Sequence, residues 1–292
     1  MSPRVLAIAL LAQLLGGLTP IWTKLALAGL GPWSLVFARQ AIGLPLLLAV
    51  VRAGRRAAPA RSAPWSPRDL LLLLALSWGG FALPQVLLAA GIARSTAVAS
   101  ALLTPLEPIG IVAGSALFFS EGLSRARLAA VALGTLGASL IVLQDGLRPD
   151  LGDPIGDLMI AAGHLAWAIY TLAAKALLAR HDEGRLSLLG VALSLPPLAA
   201  LAASETLDPE RALQALLAVL ALAGLSTALG TWLWNWALHR SGAGAMGVLI
   251  FAQPLVGVVG ARVGLGEGMG ALALLGSLAI LAGVWLELRR PG

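Results

Sequence analysis

Apolar residues run through this chain in long stretches, and polar residues collect in the short intervals between them. A helix rising about 1.5 Å per residue needs about 20 mostly apolar residues to cross a hydrocarbon layer about 30 Å thick. Ten stretches reach that length. In the first half they are Val5 to Ala28, Pro32 to Val51, Asp69 to Gly91, Thr96 to Phe119 and Ala126 to Leu143. In the second they are Gly156 to Leu178, Leu186 to Ala203, Ala212 to Leu238, Gly242 to Leu265 and Met269 to Leu288. The pattern predicts an all-α membrane protein of ten transmembrane helices joined by short connections. Composition points the same way: hydrophobic residues are 59% of the chain, charged ones 12%, and mean hydropathy is +0.89, outside the range of soluble domains. The first stretch resembles a signal peptide, with Arg4 ahead of it and the small-x-small triplet Ala26-Leu27-Ala28 at its end. Its apolar core is far longer than the roughly 7 to 15 residues of such a signal, and a second span follows at once, so it is predicted to be retained.

The net charge of +6 forms no continuous basic stripe or amphipathic face, which argues against nucleic acid as a partner. The basic residues read instead as topology signals, because short basic loops are held in the cytoplasm. With the N-terminus inside, Arg4, the cluster Arg52, Arg55, Arg56, Arg61 and Arg68, the pairs Arg125/Arg127 and Arg180/Arg185, Arg240, and Arg289/Arg290 are all cytoplasmic. Opposite them lie Arg94, Arg148 and Arg211, in loops that also carry Asp145, Asp150, Asp153, Asp157, Glu205, Asp208 and Glu210. The expected location is a bacterial inner (plasma) membrane, crossed many times, with both termini cytoplasmic. The absence of cysteine from the sequence excludes disulfides and thiol chemistry, and no cofactor or metal is expected.

The chain repeats itself. Arg94-Ser95-Thr96-Ala97-Val98-Ala99, Glu107-Pro108 and Glu121-Gly122 return as Arg240-Ser241-Gly242-Ala243-Gly244-Ala245, Gln253-Pro254 and Glu267-Gly268 at a constant offset of 146 residues. A weaker match, Gly17 to Lys24 against Ala168 to Lys175, has an offset of 151. Five spans per half is an odd number, so the second half enters the membrane from the opposite face. The expectation is a first repeat over 1–143, a periplasmic connecting loop over 144–157 and a second repeat over 158–292, inverted with respect to each other. Inverted halves permit alternating access around a site near the midplane.

The run Ser95-Thr96-Ala97 through Leu106-Glu107-Pro108 to Glu121-Gly122-Leu123, with its echo ending at Glu267-Gly268, resembles the paired domains of the EamA group in the drug/metabolite transporter superfamily. The resemblance spans nearly the whole chain. It implies a ten-helix metabolite exporter with a central cavity, cytoplasmic termini and no ATPase domain, in a family whose members move amino acids, other metabolites and toxic cations. The partners expected are a small-molecule substrate and membrane lipid, and the protein is a monomer or a homodimer.

Polar residues inside spans are costly in lipid and therefore informative. Glu107 is the one carboxylate near a predicted midplane, set between Pro105 and Pro108, and its repeat counterpart is the neutral Gln253. It reads either as a protonatable group facing a cavity, or as a cap on proline-freed backbone or a partner of Arg39. His164, Trp167 and Tyr170, spaced by three, form one stripe of the sixth span. Trp78 and Gln85 on the third span, with Thr19 and Gln13 on the first, reach comparable depth. Such a lining suits an aromatic or cationic solute with a carboxylate or amine; equally, the stripe can be interhelical packing. Pro20, Pro84, Pro105, Pro108 and Pro254 remove helical donors and mark candidate breaks for gating. Trp33, Trp65, Trp232, Trp234, Trp236 and Trp285 fall near span ends, as interfacial belts do. Lys24, Lys175 and Arg262 lie close enough to span ends to snorkel. Glu121 and Glu267, each followed by glycine, read as carboxylates capping the start of the next helix.

Two motifs are set aside. Gly242-Ala243-Gly244-Ala245-Met246-Gly247 fits G-x-G-x-x-G but opens a membrane span with no strand before it. The acids Asp150, Asp153 and Asp157 mimic a magnesium-diphosphate site but lack the second acidic cluster such a site needs. The leading reading is a secondary transporter exporting small metabolites, most readily amino acids, aromatic ones among them, or organic cations. The alternative is a membrane-embedded enzyme or a non-transporting scaffold.

Overall fold

The computed structural model describes residues 1–55, 63–95, 102–143, 153–256 and 270–289. The start of the fourth predicted span, the end of the ninth, most of the 144–157 connection, Arg262 and Glu267 fall outside them, as does the side chain of Lys24. Among the described residues, all regular structure is helical. In chain order the elements are α1 (Pro3–Leu27), α2 (Pro32–Arg55), α3 (Pro67–Leu74), a π-helical segment (Ala75–Ala82), α4 (Leu83–Arg94), α5 (Leu106–Phe119), α6 (Arg125–Val142), α7 (Pro154–Leu178), α8 (Glu183–Ala202), α9 (Pro209–Ala221), a second π-helical segment (Leu222–Gly230), α10 (Thr231–His239), α11 (Ala243–Ile250) and α12 (Ala271–Leu288).

The helices start where polar caps and prolines dictate. Ser2-Pro3, Ser66-Pro67, Asp153-Pro154 and Asp208-Pro209 each pair a side-chain acceptor for the first free amides with a proline that needs no acceptor. Ser66 and Asp69 complete a reciprocal capping box. Outside the spans, Arg94 donates to Asp153 at 2.7 Å and holds that carboxyl below its ordinary range.

Among the described residues, eight helical stretches are long and apolar enough to cross a membrane, two of them assembled from α3 to α4 and from α9 to α10 through the π-helical segments. The fourth and ninth predicted spans differ. Their described parts are the shorter apolar helices Leu106–Phe119 and Ala243–Val256. Both are interrupted at the repeat-related prolines, Pro108 and Pro254, which cannot donate to the carbonyls four residues earlier. Turns at Thr104-Pro105 and Phe251-Ala252 take the place of continuous helix.

Contacts between repeat-related helices reveal their relative direction. α6 packs on α12 with Arg127 against Glu287, Ala130 against Gly283 and Gly137 against Gly276. α2 meets α8 with Val51 against Gly184 and Val36 clustered with Leu198. α5 meets α11 with Ile111 against Gly247 and Ser115 against Gly244. In every pair, numbers rise on one helix as they fall on the other, so all three pairs are antiparallel. A parallel duplication would make them parallel, so the repeat is inverted.

α1 begins and α12 ends at the same end of the bundle. Arg4 and Arg240 lie over Trp236, Arg185 over Trp65 and Arg289 over Trp285, so these belt tryptophans carry cations on their faces. The opposite end holds Asp153, Glu205 and Arg211.

The tightest helix crossing rests on two glycines. A Cβ on Gly137 would sit 2.5 Å from the Gly276 carbonyl oxygen, and one on Gly276 would sit 2.5 Å from the Gly137 carbonyl oxygen. Gly137→Val should therefore force α6 and α12 apart and cost about 1–3 kcal/mol, read as a lower melting temperature in detergent. Gly79→Ala, where a Cβ meets open space, should leave melting unchanged or raise it. Equal melting of Gly137→Val and the parent would refute this packing.

Candidate functional site

The break before Pro108 places Glu107 at the start of α5, where its own amide makes a tight turn back to the Thr104 carbonyl at 3.2 Å. Its carboxylate Oε2 lies 3.7 Å from His164 Nδ1, and the other ring nitrogen, Nε2, is 3.5 Å from Thr104 Oγ1. Both side chains are largely buried, 10% exposed for His164 and 18% for Glu107. The structure thus pairs Glu107 with α7 rather than with Arg39.

The same contact occurs a second time in other chemistry. Gln253 Nε2 donates to Gln13 Oε1 at 2.9 Å, joining the broken ninth span to α1. Gln253 corresponds to Glu107 at the 146-residue offset, and Gln13 to His164 at the 151-residue offset. Each contact joins the two halves: one pairs an acid of the first half with an imidazole of the second, and its counterpart pairs two amides. Gly16 and Gly17 permit this approach, since a Cβ on either would collide with Gln253.

Trp167 stands edge-on to Phe81 and Tyr170, with centroids 5.7 and 5.9 Å apart, between α7 and the π-helical segment of the third span. Tyr170 itself is buried, and its hydroxyl accepts from Asn235 at 2.7 Å, with Asn235 also donating to Ser187 at 2.9 Å. That network is interhelical glue among α7, α8 and α10, so Tyr170 presents no free polar group. Gln85 is buried, donating to the Phe81 carbonyl and accepting from Gln40. The exposed Trp78 donates its indole N–H to the Leu193 carbonyl at 2.9 Å. That carbonyl is the one Pro197 leaves without a helical donor.

Thr19, one residue before Pro20, donates to Ser226 Oγ at 3.0 Å. Ser226 and Thr227 belong to the π-helical segment of the eighth span, and both accept from the Arg39 guanidinium, at 3.0 and 3.2 Å. Five of the residues singled out in the sequence, Glu107 with His164, Gln253 with Gln13, and Thr19, therefore make contacts between the halves or between the helices that bound them. Trp78, Gln85 and Tyr170 are engaged in satisfying or packing the scaffold. Pro84 opens α4, just after the π-helical segment, and Pro20 lies inside α1.

Two matches to one family model line up with this architecture: the EamA-like transporter model fits residues 4–143 and again residues 154–289. The chain belongs to the EamA-like transporter family. It is similar to a probable amino-acid metabolite efflux pump of Salmonella typhimurium, 29% identical over 90% of this chain and 93% of that protein. It is also similar to a probable terminal-alkyne amino-acid exporter of Streptantibioticus cattleyicolor, 28% identical over 76% and 74% of the two chains. An uncharacterized transporter of Archaeoglobus fulgidus is 27% identical over 91% of each. A crystal structure of another protein shares the fold, with a TM-score of 0.76 at 20% identity over 98% of this chain and 96% of the other. The protein is thus a multi-pass membrane protein of an EamA transporter family, and not an enzyme.

The EamA-type carboxylate at the end of the fourth span does something other than cap the helix after it. Ser124 caps α6, through the Arg127 amide. Ser120, with a left-handed φ of 53°, turns the chain so that Glu121 crosses to the other repeat and accepts from the Ala243 and Gly244 amides at 2.8 and 3.0 Å. Glycines at 242 and 244 leave the room that Glu121 and Arg127 fill. Arg127 then bridges Glu121 at 3.1 Å to Glu287 at 2.7 Å, tying α5, α6, α11 and α12 together. Lys175, near a span end, donates to the Leu238 carbonyl at 3.0 Å and to the Ser241 carbonyl, closing the C-terminus of α10.

Sequence reasoning did not bring Arg39, Ser226 and Thr227 together, because apolar periodicity does not orient helices that are greasy on every face. It also left Gln40 and Asn235 unremarked, though a polar amide inside an apolar run was signal enough. Arg127 and Glu287 are both buried, so Arg127→Met alone should strand a buried carboxylate and cost about 3–5 kcal/mol, while adding Glu287→Leu should recover much of that. Melting of the single and double variants checks it. A double variant no more stable than the single one would contradict the pairing.

Proposed function

We propose that this transporter exports small amino-acid-like metabolites or organic cations across the bacterial inner membrane by alternating access, with both termini in the cytoplasm. The observation that carries this reading is the doubled seam contact between the halves, Glu107 with His164 and Gln13 with Gln253, each at a proline-broken span of an inverted pair. Two related bundles joined through matched, breakable contacts can exchange conformations and open a shared site to one side and then the other. The names of the Salmonella and Streptantibioticus relatives support amino-acid export, and the crowding of arginines at the end that holds both termini supports the cytoplasmic assignment.

In this mechanism Glu107 and His164 are the ionisable members of the seam, whereas the Gln13–Gln253 contact holds no ionisable group. Trp167, the aromatic of the stripe whose ring is partly exposed, supplies a face for the cargo.

Proteoliposomes of purified protein, loaded with labelled amino acids, should release them faster than empty-membrane controls. Glu107→Gln should abolish accumulation driven by a pH gradient and keep downhill exchange. Trp167→Ala should weaken cargo binding about 10-fold, as loss of a desolvated cation–π face worth roughly 1–2 kcal/mol does, an effect larger than its effect on melting. A parent protein inert toward every solute tried would refute the transport reading, and a Glu107→Gln variant that still accumulates cargo would remove the proton role.

A further inference from the structure

Arg39 is a cation held inside the bundle without a counter-charge. It lies about 10 Å along α2 from the helix start, at 1.5 Å per residue, yet its guanidinium does not turn back toward that end. It reaches Ser226 and Thr227, which sit roughly midway along the eighth span, from Pro209 to His239. Long basic side chains near a span end normally snorkel outward to water, so this inward course needs a reason.

The acids that could neutralise it are committed elsewhere. Glu205, at the end of the bundle nearest Arg39, accepts from the Trp33 and Ser34 amides and caps α2. Glu107 faces His164. Among the described residues no carboxylate lies within ion-pair distance of Arg39, and two of its five N–H donors are bonded, both to neutral hydroxyls. A hydroxyl orients a guanidinium but does not cancel its charge, and an unneutralised charge at membrane depth is among the most costly features a span can carry.

The seat itself is built. Ser226 accepts from both Thr19 and Arg39, so α1, α2 and the eighth span converge on one hydroxyl. Gly43 brings α2 close to the π-helical segment, where its Cβ would collide with the Thr227 side chain. π-Helical turns inside α-helices recur at functional sites. A run of contacts links this site to the acid on the other helix. Gln40, next to Arg39, donates to Gln85, the Pro84 carbonyl packs on Gly163, and Gly163 adjoins His164, the partner of Glu107.

We infer that Arg39 is the anchor for a carboxylate on the transported solute, oriented by Ser226, Thr227 and Thr19. This deepens the export reading and rests on it: of the two cargo classes proposed above, it selects solutes with a free carboxylate over organic cations. A planar carboxylate takes the free edge of the guanidinium with two parallel hydrogen bonds. The cation is left unpaired by the protein because the cargo supplies the charge.

The test uses proteoliposomes of the full-length protein preloaded with labelled phenylalanine, with phenylalanine, phenylalaninamide and phenethylamine as competitors. The expected result is competition by the free acid and none by the amide or the amine. Arg39→Gln should raise the half-saturating phenylalanine concentration roughly 10- to 100-fold, as loss of a charged hydrogen bond does, and should melt at or above the parent temperature because an uncompensated charge has been removed. Arg39→Lys, which keeps the charge but not the fork, should fall between the two. Equal competition by acid and amide, or phenylalanine efflux unchanged in Arg39→Gln, overturns the anchor and leaves the transporter reading intact. No efflux of any of the three compounds from the parent protein overturns the export reading itself. Should Arg39→Gln fail to fold, Arg39 is shown to be structural, and the acid-against-amide comparison in the parent still decides the cargo class.

Discussion

Hydrocarbon offers no hydrogen bonds, so every backbone group inside the bilayer must find its partner within the protein. This constraint organises the whole molecule, because the chain breaks its own helices repeatedly and each break has to be answered. Pro197 leaves the Leu193 carbonyl without a donor, and the Trp78 indole supplies one. The first amides of α11 are met by Glu121 from the other repeat, and those of α2 by Glu205 from the loop before α9. The last carbonyls of α10 are met by Lys175. These answers all come from outside the helix that needs them. Each break therefore becomes a tie between spans, and the irregular backbone that a transporter needs is also what fixes its helices in place.

The ties are distributed by the inverted repeat, but the duplication has kept geometry and let chemistry drift. α6 on α12, α2 on α8 and α5 on α11 all cross in antiparallel fashion, and glycines at the crossings let backbone approach backbone. Of the two equivalent seams between the halves, one uses an acid and an imidazole and the other uses two amides. Likewise the π-helical segments sit at matching places in the third and eighth spans, yet the first presents Trp78 and the second presents Ser226 and Thr227 to Arg39. The two halves are thus alike in backbone and different in their polar groups.

Charge is accordingly sparse and placed for contrast. At the end that carries both termini, Arg127 lies between two carboxylates and the arginines stack on tryptophan, so cations there are compensated. In mid-bundle the balance is different: Arg39 is held by neutral hydroxyls while Glu107 faces an imidazole.

Much of this was legible from the order of residues alone. Span positions follow from runs of apolar residues, the inversion from an odd number of spans per repeat, the co-location of the termini from an even total, and helix starts such as Ser66-Pro67 from cap chemistry, because these depend on local sequence and on counting. The family was legible too, since Glu107-Pro108 and Glu121-Gly122 recur at fixed spacing. Which residues touch was not. Glu121 read as a cap for its own next helix, where Ser124 already serves, and the tertiary structure gave it to α11 instead. Tyr170 read as lining or as interhelical packing, and its hydroxyl meets Asn235. A partnership of Arg39 with Glu107 was one of the alternatives, and Arg39 bonds the π-helical hydroxyls instead. In water, the apolar face of a helix says which way it points; in lipid nearly every face is apolar, so rotation about each helix axis, and with it every contact between spans, is decided by glycine packing, by proline breaks and by the demand for hydrogen-bond partners, all of which exist only once the helices have met.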